Sequence, residues 1–151
     1  MLERGREKVR RHEASDRILL QTGDSEDLPF ADDSFDGAAV AFGVRNFENL
    51  QQGLSEISRV LRPGGSLVVL EFSRPRTPPI KQLYSLYLHY LLPRIGGLIA
   101  SRPDAYQYLP DSVASFPEGE DFLAEMRQAG FHAVEWQPLM FGIASLYKGY
   151  V

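Results

Sequence analysis

Residues 37–72 read GAAVAFGVRNFENLQQGLSEISRVLRPGGSLVVLEF, and three hydrophobic patterns succeed one another within them. Gly37 to Phe42 is small and apolar throughout, as a strand buried on both faces would be. Gly43 then breaks the pattern. Phe47, Leu50, Leu54, Ile57 and Leu61 recur at spacings of three and four, which is one face of an amphipathic helix. Arg62-Pro63-Gly64-Gly65 ends that helix, with basic charge in its last turn and glycine beyond. Ser66 to Phe72, SLVVLEF, is the clearest strand in the chain. Strand, helix, strand in this order predicts a parallel pair with a right-handed crossover, and so an α/β fold.

On the N-terminal side, Met1 to about Glu13 reads as an exposed helix. Its basic residues from Arg4 to Arg11 are interleaved with Glu3, Glu7 and Glu13, which describes a solvated face better than a binding patch. Ile18 to Thr22 is a short apolar run ending at Gly23–Asp24, the signature of a strand closed by a turn. Ser25 to Asp36 is a loop. On the C-terminal side, Arg74 to Pro79 is a proline-rich connector, Ile80 to Leu92 a helix, and Pro93 to Pro110 irregular and aromatic. Glu118 to Ala129 is a helix with Gly130 as its stop. Phe131 to Leu139 and Ile143 to Tyr150 read as two strands, antiparallel to one another, at the edge of the sheet. One domain is expected, with an insertion at about 76–116.

Composition removes several classes of function. The 151 residues carry a formal net charge of −4 and no long run of Lys or Arg, so no nucleic-acid partner is expected. There is no cysteine, which rules out disulfides, thiolate metal sites and a cysteine nucleophile. His12, His89 and His132 lack metal-ligand spacing, and no metal is expected. The most apolar stretch, Leu83 to Ala100, is interrupted by His89, Pro93, Arg94 and Gly96–Gly97. A spanning helix needs about 20 mainly apolar residues. A cytoplasmic protein that touches a membrane surface is the expectation.

Ligands of open α/β sheets bind outside the carboxyl ends of the strands, and two such ends are chemically marked. At Gly23-Asp24-Ser25-Glu26-Asp27-Leu28-Pro29-Phe30, a carboxylate could accept from an exocyclic amine such as that of adenine. It could equally cap its own turn. At Phe42-Gly43-Val44-Arg45-Asn46, glycine lets the backbone approach a ligand. Arg45 follows it, either as a surface ion-pair partner or as a cation that stabilises negative charge in a cleft.

Together these segments resemble a known family. GDSEDLPFADDSFDGAAVAFGVRNFENLQQGLSEISRVLRPGGSLVVLEFSRP is similar to the central region of the ubiquinone/menaquinone biosynthesis C-methyltransferases, which are class I (Rossmann-like) S-adenosylmethionine-dependent enzymes. The resemblance continues through LYSLYLHYLLPRIGGLIASRPDAYQYLPDSVASFP and ends with FLAEMRQAGFHAVEWQPLMFGIASLYKGY, so it covers almost the whole chain. The D-x-E-x-LPF and RVLRPGG elements are shared by many class I methyltransferases. FGVRN, LEFSRP, LPRIG and AYQYLPDS are far more specific.

The resemblance implies methyl transfer from S-adenosylmethionine to a ring carbon of a prenylated quinol, either demethylmenaquinol or a methoxy-benzoquinol. It implies that Asp24, Ser25, Ala41 and Gly43 line the cofactor site. Some members carry a serine at the position of Ala41. It implies that Arg45 is the catalytic cation and that Arg45, Asn46, Tyr106 and Tyr108 meet the quinol. The insertion becomes a lid over the prenylated ring. Tyr84, Tyr87 and Tyr90 add aromatic surface with polar tips to that lid.

The family's D-x-G-x-G-x-G turn and the acidic residue after its second strand are absent from this sequence, which holds no G-x-G. Class I methyltransferases order their strands 3-2-1-4-5-7-6. The resemblance therefore implies a sheet lacking the first two strands, in which Ile18–Thr22 and Gly37–Phe42 have no bridge between them. Three outcomes follow from exposed edges: the two strands pair directly, a second copy fills the gap as a homo-oligomer, or the domain is incomplete. A misplaced start codon or a partial gene explains this most simply. The alternative function is a non-catalytic fragment or pseudoenzyme that binds a prenyl-quinone or a partner enzyme.

Overall fold

The computed structural model describes residues 2–86, 112–113 and 115–151. Helix α1 (Leu2–Arg11) is followed by β1 (Phe35–Ala41), α2 (Leu50–Val60), β2 (Leu61–Phe72), α3 (Ile80–Leu86), α4 (Glu120–Gln128), β3 (His132–Leu139) and β4 (Ala144–Tyr150). The four strands form one sheet in the order β1-β2-β4-β3. β1 and β2 run parallel, as the strand–helix–strand pattern predicted, and β4 is antiparallel to both of its neighbours. β1 and β3 are the two edge strands, and β4 lies inside the sheet; β1 is accordingly largely exposed rather than buried on both faces.

The registers put Val40 beside Val69, Val69 beside Tyr147, and Tyr147 beside Trp136. Side chains alternate across a strand, so Leu67, Val69 and Glu71 share one face of β2, and all three are fully buried. Two helices cover that face. Leu54 and Ile57 of α2 and Phe122, Leu123 and Met126 of α4 complete a single core with Tyr147. The helices touch each other through the Gln51 amide, which bonds the Glu125 carboxylate and, at 3.0 Å, its carbonyl. On the opposite face Val68, Leu70 and Phe72 stay half-buried.

Helix α2 begins where Asn49 accepts a hydrogen bond from Gln52 N–H at 3.1 Å, an N-cap that satisfies one otherwise orphaned donor. Gly53 lets this helix sit against the Phe47 ring: a Cβ there would come within 2.3 Å of it.

Two expectations are corrected. Arg62-Pro63-Gly64-Gly65 does not close the helix. The helix ends at Val60, and these residues already belong to β2, across a bulge opposite Phe35–Gly37. The reason is an outside partner: Gly64 N–H donates to Val151 O at 2.7 Å, and Val151 N–H returns to Gly65 O at 3.0 Å. Second, Ile18–Thr22 forms no strand. Strands need ladder partners, and without one on the outer edge of β1 this segment stays irregular, with Leu19 85% exposed. Direct pairing with β1 therefore does not occur. The helix expected over 80–92 is present over Ile80–Leu86, and its remainder lies outside the described residues. Tyr87, Tyr90, Tyr106 and Tyr108, with most of the insertion at 76–116, lie outside the described residues.

Candidate functional site

At the carboxyl end of β1 the chain turns sharply. Phe42 adopts a left-handed φ of 55°, a rare conformation for a bulky side chain that costs energy and tends to occur at functional sites. A single 3-10 turn over Val44–Asn46 follows. The turn brings Arg45 back over the sheet, where its Nη1 donates to Phe42 O at 3.0 Å and to Glu71 Oε1 at 2.5 Å. The guanidinium also lies 5.4 Å from the centre of the Phe72 ring, within range of a cation–π attraction. The Phe42 ring packs on Phe72 at 4.4 Å.

Arg45 is thus an ion-pair partner, one of the two roles its place after a strand allowed, but its partner is buried rather than at the surface. The Arg45 side chain is 11% exposed, and that of Glu71 is 0% exposed. Glu71 is the functional candidate that sequence reasoning missed. Its Oε1 also accepts from Phe72 N–H at 2.9 Å. Asn46 and Ala41 are exposed and Gly43 is half-buried, so the chain beside the ion pair is open to a ligand. A Cβ at Gly43 would approach Val40 Cγ1 to 3.1 Å, which makes a side chain there tight.

The loop that carries Asp24 and Ser25 is held separately. Asp24 Oδ1 accepts from Glu26 N–H at 3.0 Å, within its own turn. It is Glu26 that reaches the neighbouring element, accepting from Asn49 N–H at 2.9 Å. Further along, Arg59 grips Glu56 with two nitrogens at 2.7 Å each and binds the carbonyls of Phe30 and Leu28. Glu56 in turn accepts from Leu28 N–H at 2.9 Å. The Arg59 hydrogen bonds hold the Glu56 carboxyl down at about 2, so the clamp stays ionised through the neutral range. Asp24 and Ser25 are therefore anchored to α2, on one side of the strand ends. Arg45 and Gly43 stand at the end of β1.

A cavity of about 360 Å³ opens beyond the end of β2. Its floor includes Ser73 and Ser145. Ser145 Oγ bonds Ser73 Oγ, and Ser73 Oγ donates to Gly142 O, both at 2.9 Å. Its walls include Ile80, Trp136 and Phe141. Glu118 lies at the rim, accepting from Arg74 N–H at 2.8 Å, with the Arg76 guanidinium 3.6 Å away. An apolar pocket with few, clustered polar groups is the usual form of a small-molecule site.

This polar floor and apolar wall lie beside the carboxyl end of β2 and the amino end of β4. The family model described as the ubiE/COQ5 methyltransferase family matches residues 1–151. The chain belongs to that family. It is 48% identical over 149 residues to a ubiquinone/menaquinone biosynthesis C-methyltransferase of Geotalea daltonii, covering 99% of this chain and 63% of that protein. It is 43% identical over 147 residues to a demethylmenaquinone methyltransferase of Bacteroides fragilis, covering 97% of this chain and 60% of that protein. The chain thus spans about 60% of the length of these curated relatives.

Solved structures agree on the fold. A methyltransferase of Thermotoga maritima superposes with a TM-score of 0.62 at 20% identity, over 93% of this chain and 69% of that one. A phosphoethanolamine N-methyltransferase of Haemonchus contortus, in complex with S-adenosyl-L-methionine, gives 0.64 at 12% identity, over 95% and 39%. The α/β, class I assignment from sequence holds.

Proposed function

We propose that this chain carries the acceptor side of an S-adenosylmethionine-dependent C-methyltransferase acting on a polyprenylated quinol, of the demethylmenaquinol or methoxy-benzoquinol kind. The observation that carries the reading is the family match over residues 1–151. The residues at hand fit an adenosine-type ligand in part. Asp24 is exposed, and only its Oδ1 is engaged, so lone pairs remain for an exocyclic amine. Ser25 sits beside it, and the exposed Ala41 and half-buried Gly43 leave the end of β1 uncrowded. These four would hold the cofactor, which supplies a methyl group activated on a sulfonium.

The chain's own part is alignment and charge control. Methyl transfer to a ring carbon needs close, in-line placement of the reacting atoms. The ring must also be electron-rich, which loss of its hydroxyl proton achieves, and a cation near the resulting oxygen stabilises that anion. Arg45 would take this role, with Asn46, Tyr106 and Tyr108 as further quinol contacts. A thermal melt with S-adenosylhomocysteine tests the cofactor side. A ligand at about 100 times its dissociation constant adds roughly 2.7 kcal/mol, a rise of a few degrees for a domain of this size. A cooperative melt with no rise would remove Asp24 and Ser25 as a sufficient cofactor site and favour the non-catalytic reading.

The same reading includes contact with a membrane surface, because a prenylated tail resides in lipid. Among the described residues no helix is long and apolar enough to cross a membrane. Phe141, on the wall of the cavity, is 80% exposed, and Met140 beside it 72%. Leu83 and Leu86, on the helix that supplies Ile80, are 71% and 60% exposed. Exposed apolar groups clustered in this way mark interaction sites. Co-flotation of the chain with lipid vesicles is expected, and its loss in a Phe141→Ser, Met140→Ser variant. A chain that stays at the bottom of the gradient with both neutral and anionic vesicles would refute surface contact.

A further inference from the structure

The ion pair at the end of β1 is built with one bond where two are available. Arginine and carboxylate commonly meet fork to fork, through two parallel hydrogen bonds. Here Arg45 Nη1 and Glu71 Oε1 make the contact alone. Arg45 Nε and Glu71 Oε2 are both buried, and neither has a hydrogen-bond partner. Among the described residues these are the buried side-chain polar atoms left without one. One is a donor, the other an acceptor, and they belong to the two partners of one pair. Leaving such atoms unsatisfied costs about 1–3 kcal/mol each, and more for charged groups. Each therefore calls for an explanation.

A hydroxyl is complementary to that arrangement. It has one hydrogen to give and lone pairs to receive, so it can donate to Oε2 while accepting from Nε. An ether oxygen can only accept. It would satisfy Nε but leave Oε2 without a partner and place its alkyl group against a carboxylate. An ammonium can only donate and would face the guanidinium. A carboxylate would meet Glu71 as a like charge. The site also has aromatic walls: the Phe72 ring lies against the guanidinium, and the Phe42 ring packs on Phe72. Phe42 is 37% exposed, so this wall reaches the surface at the strand end.

We propose that Arg45 Nε and Glu71 Oε2 form a paired receptor for one ring hydroxyl of an aromatic acceptor, with Glu71 reading the hydroxyl's proton and Arg45 its oxygen. This rests on the reading of the chain as the acceptor side of a quinol methyltransferase, and it gives Glu71 a part in acceptor binding. A hydroxyl bound in this way donates to an anion, which pushes electron density from its oxygen into the ring. The same contacts select the reduced, hydroxyl-bearing acceptor, because a quinone or a methyl ether has no proton for Oε2.

The test compares two probes of nearly equal shape on the full chain. 4-Methoxy-1-naphthol has one hydroxyl; 1,4-dimethoxynaphthalene has none. Titration calorimetry is expected to show the naphthol binding about 10- to 100-fold tighter, the range for a hydrogen bond to a charged group. In Glu71→Gln the preference should collapse to about threefold or less, while dimethoxynaphthalene binding is unchanged. Equal binding of the two probes by the unmodified chain overturns the proposal and leaves the aromatic-acceptor reading standing. Binding of neither probe overturns both. A Glu71→Gln chain that melts lower yet keeps the full preference gives Glu71 a merely structural role and also overturns it. If that variant does not fold, the comparison on the unmodified chain decides.

Discussion

Replacing Arg45 by methionine is expected to cost about 3–5 kcal/mol of folding stability, the range for breaking a buried ion pair from one side. The magnitude follows from where the loss falls. Glu71 has no exposure at all, and after the substitution its carboxylate keeps only the Phe72 N–H bond. Desolvation of an uncompensated charge then stands against that single contact. The double variant Arg45→Met, Glu71→Leu should recover most of the loss, since an apolar pair of similar volume carries no such penalty. Urea denaturation of the two single variants and the double closes a mutant cycle. A loss below about 1 kcal/mol for Arg45→Met alone would mean that the pair is solvated in solution. In that event Arg45 would be available as a free cation at the end of β1.

How much of this was legible in the chain depends on which signals are local. SLVVLEF declares a strand because its alternation and β-branched content hold whatever packs around it, and the helix of Leu50, Leu54 and Ile57 follows from spacing alone. Ile18–Thr22 carries a similar local signal and yet forms no strand, because the signal names a candidate and the ladder must come from a partner. The helix end at Arg62-Pro63-Gly64-Gly65 failed for the same reason. Its chemistry suits a helix stop, but Val151, at the far end of the chain, draws Gly64 and Gly65 into β2. At the site, Arg45 was found from its position after a strand and Gly43. Glu71 lies inside SLVVLEF, and the pattern held a clue to it. It shares parity with Leu67 and Val69, the two fully buried residues before it, so it had to point inward. An acid on the inward face of a strand requires a partner, and the partner is Arg45.

Parity and packing also decide the second large effect. Phe122→Ala is expected to cost about 3–5 kcal/mol, whereas Leu19→Ala should stay within about 0.5 kcal/mol. Both residues look alike in a hydrophobicity profile. Phe122 is fully buried, edge-on to Tyr147 at 4.7 Å and packed on Phe116 at 5.1 Å, while Leu19 is 85% exposed. Removing the ring leaves a cavity at the place where α4 meets β4, and the aromatic contacts are lost with it. The damage reaches the candidate site. Tyr147 OH accepts from Gly119 N–H at 2.9 Å, just before the first turn of α4, and Gly119 and Trp136 both line the cavity. Total stability for a domain is of order 5–15 kcal/mol, so such a loss would leave a substantial unfolded fraction. Denaturation followed by the fluorescence of Trp136, the single tryptophan, reads both the stability and the environment of the cavity wall. A Phe122→Ala midpoint equal to that of Leu19→Ala would mean that α4 is not docked on this face of the sheet, and with it would go the cavity and the inward setting of Glu71.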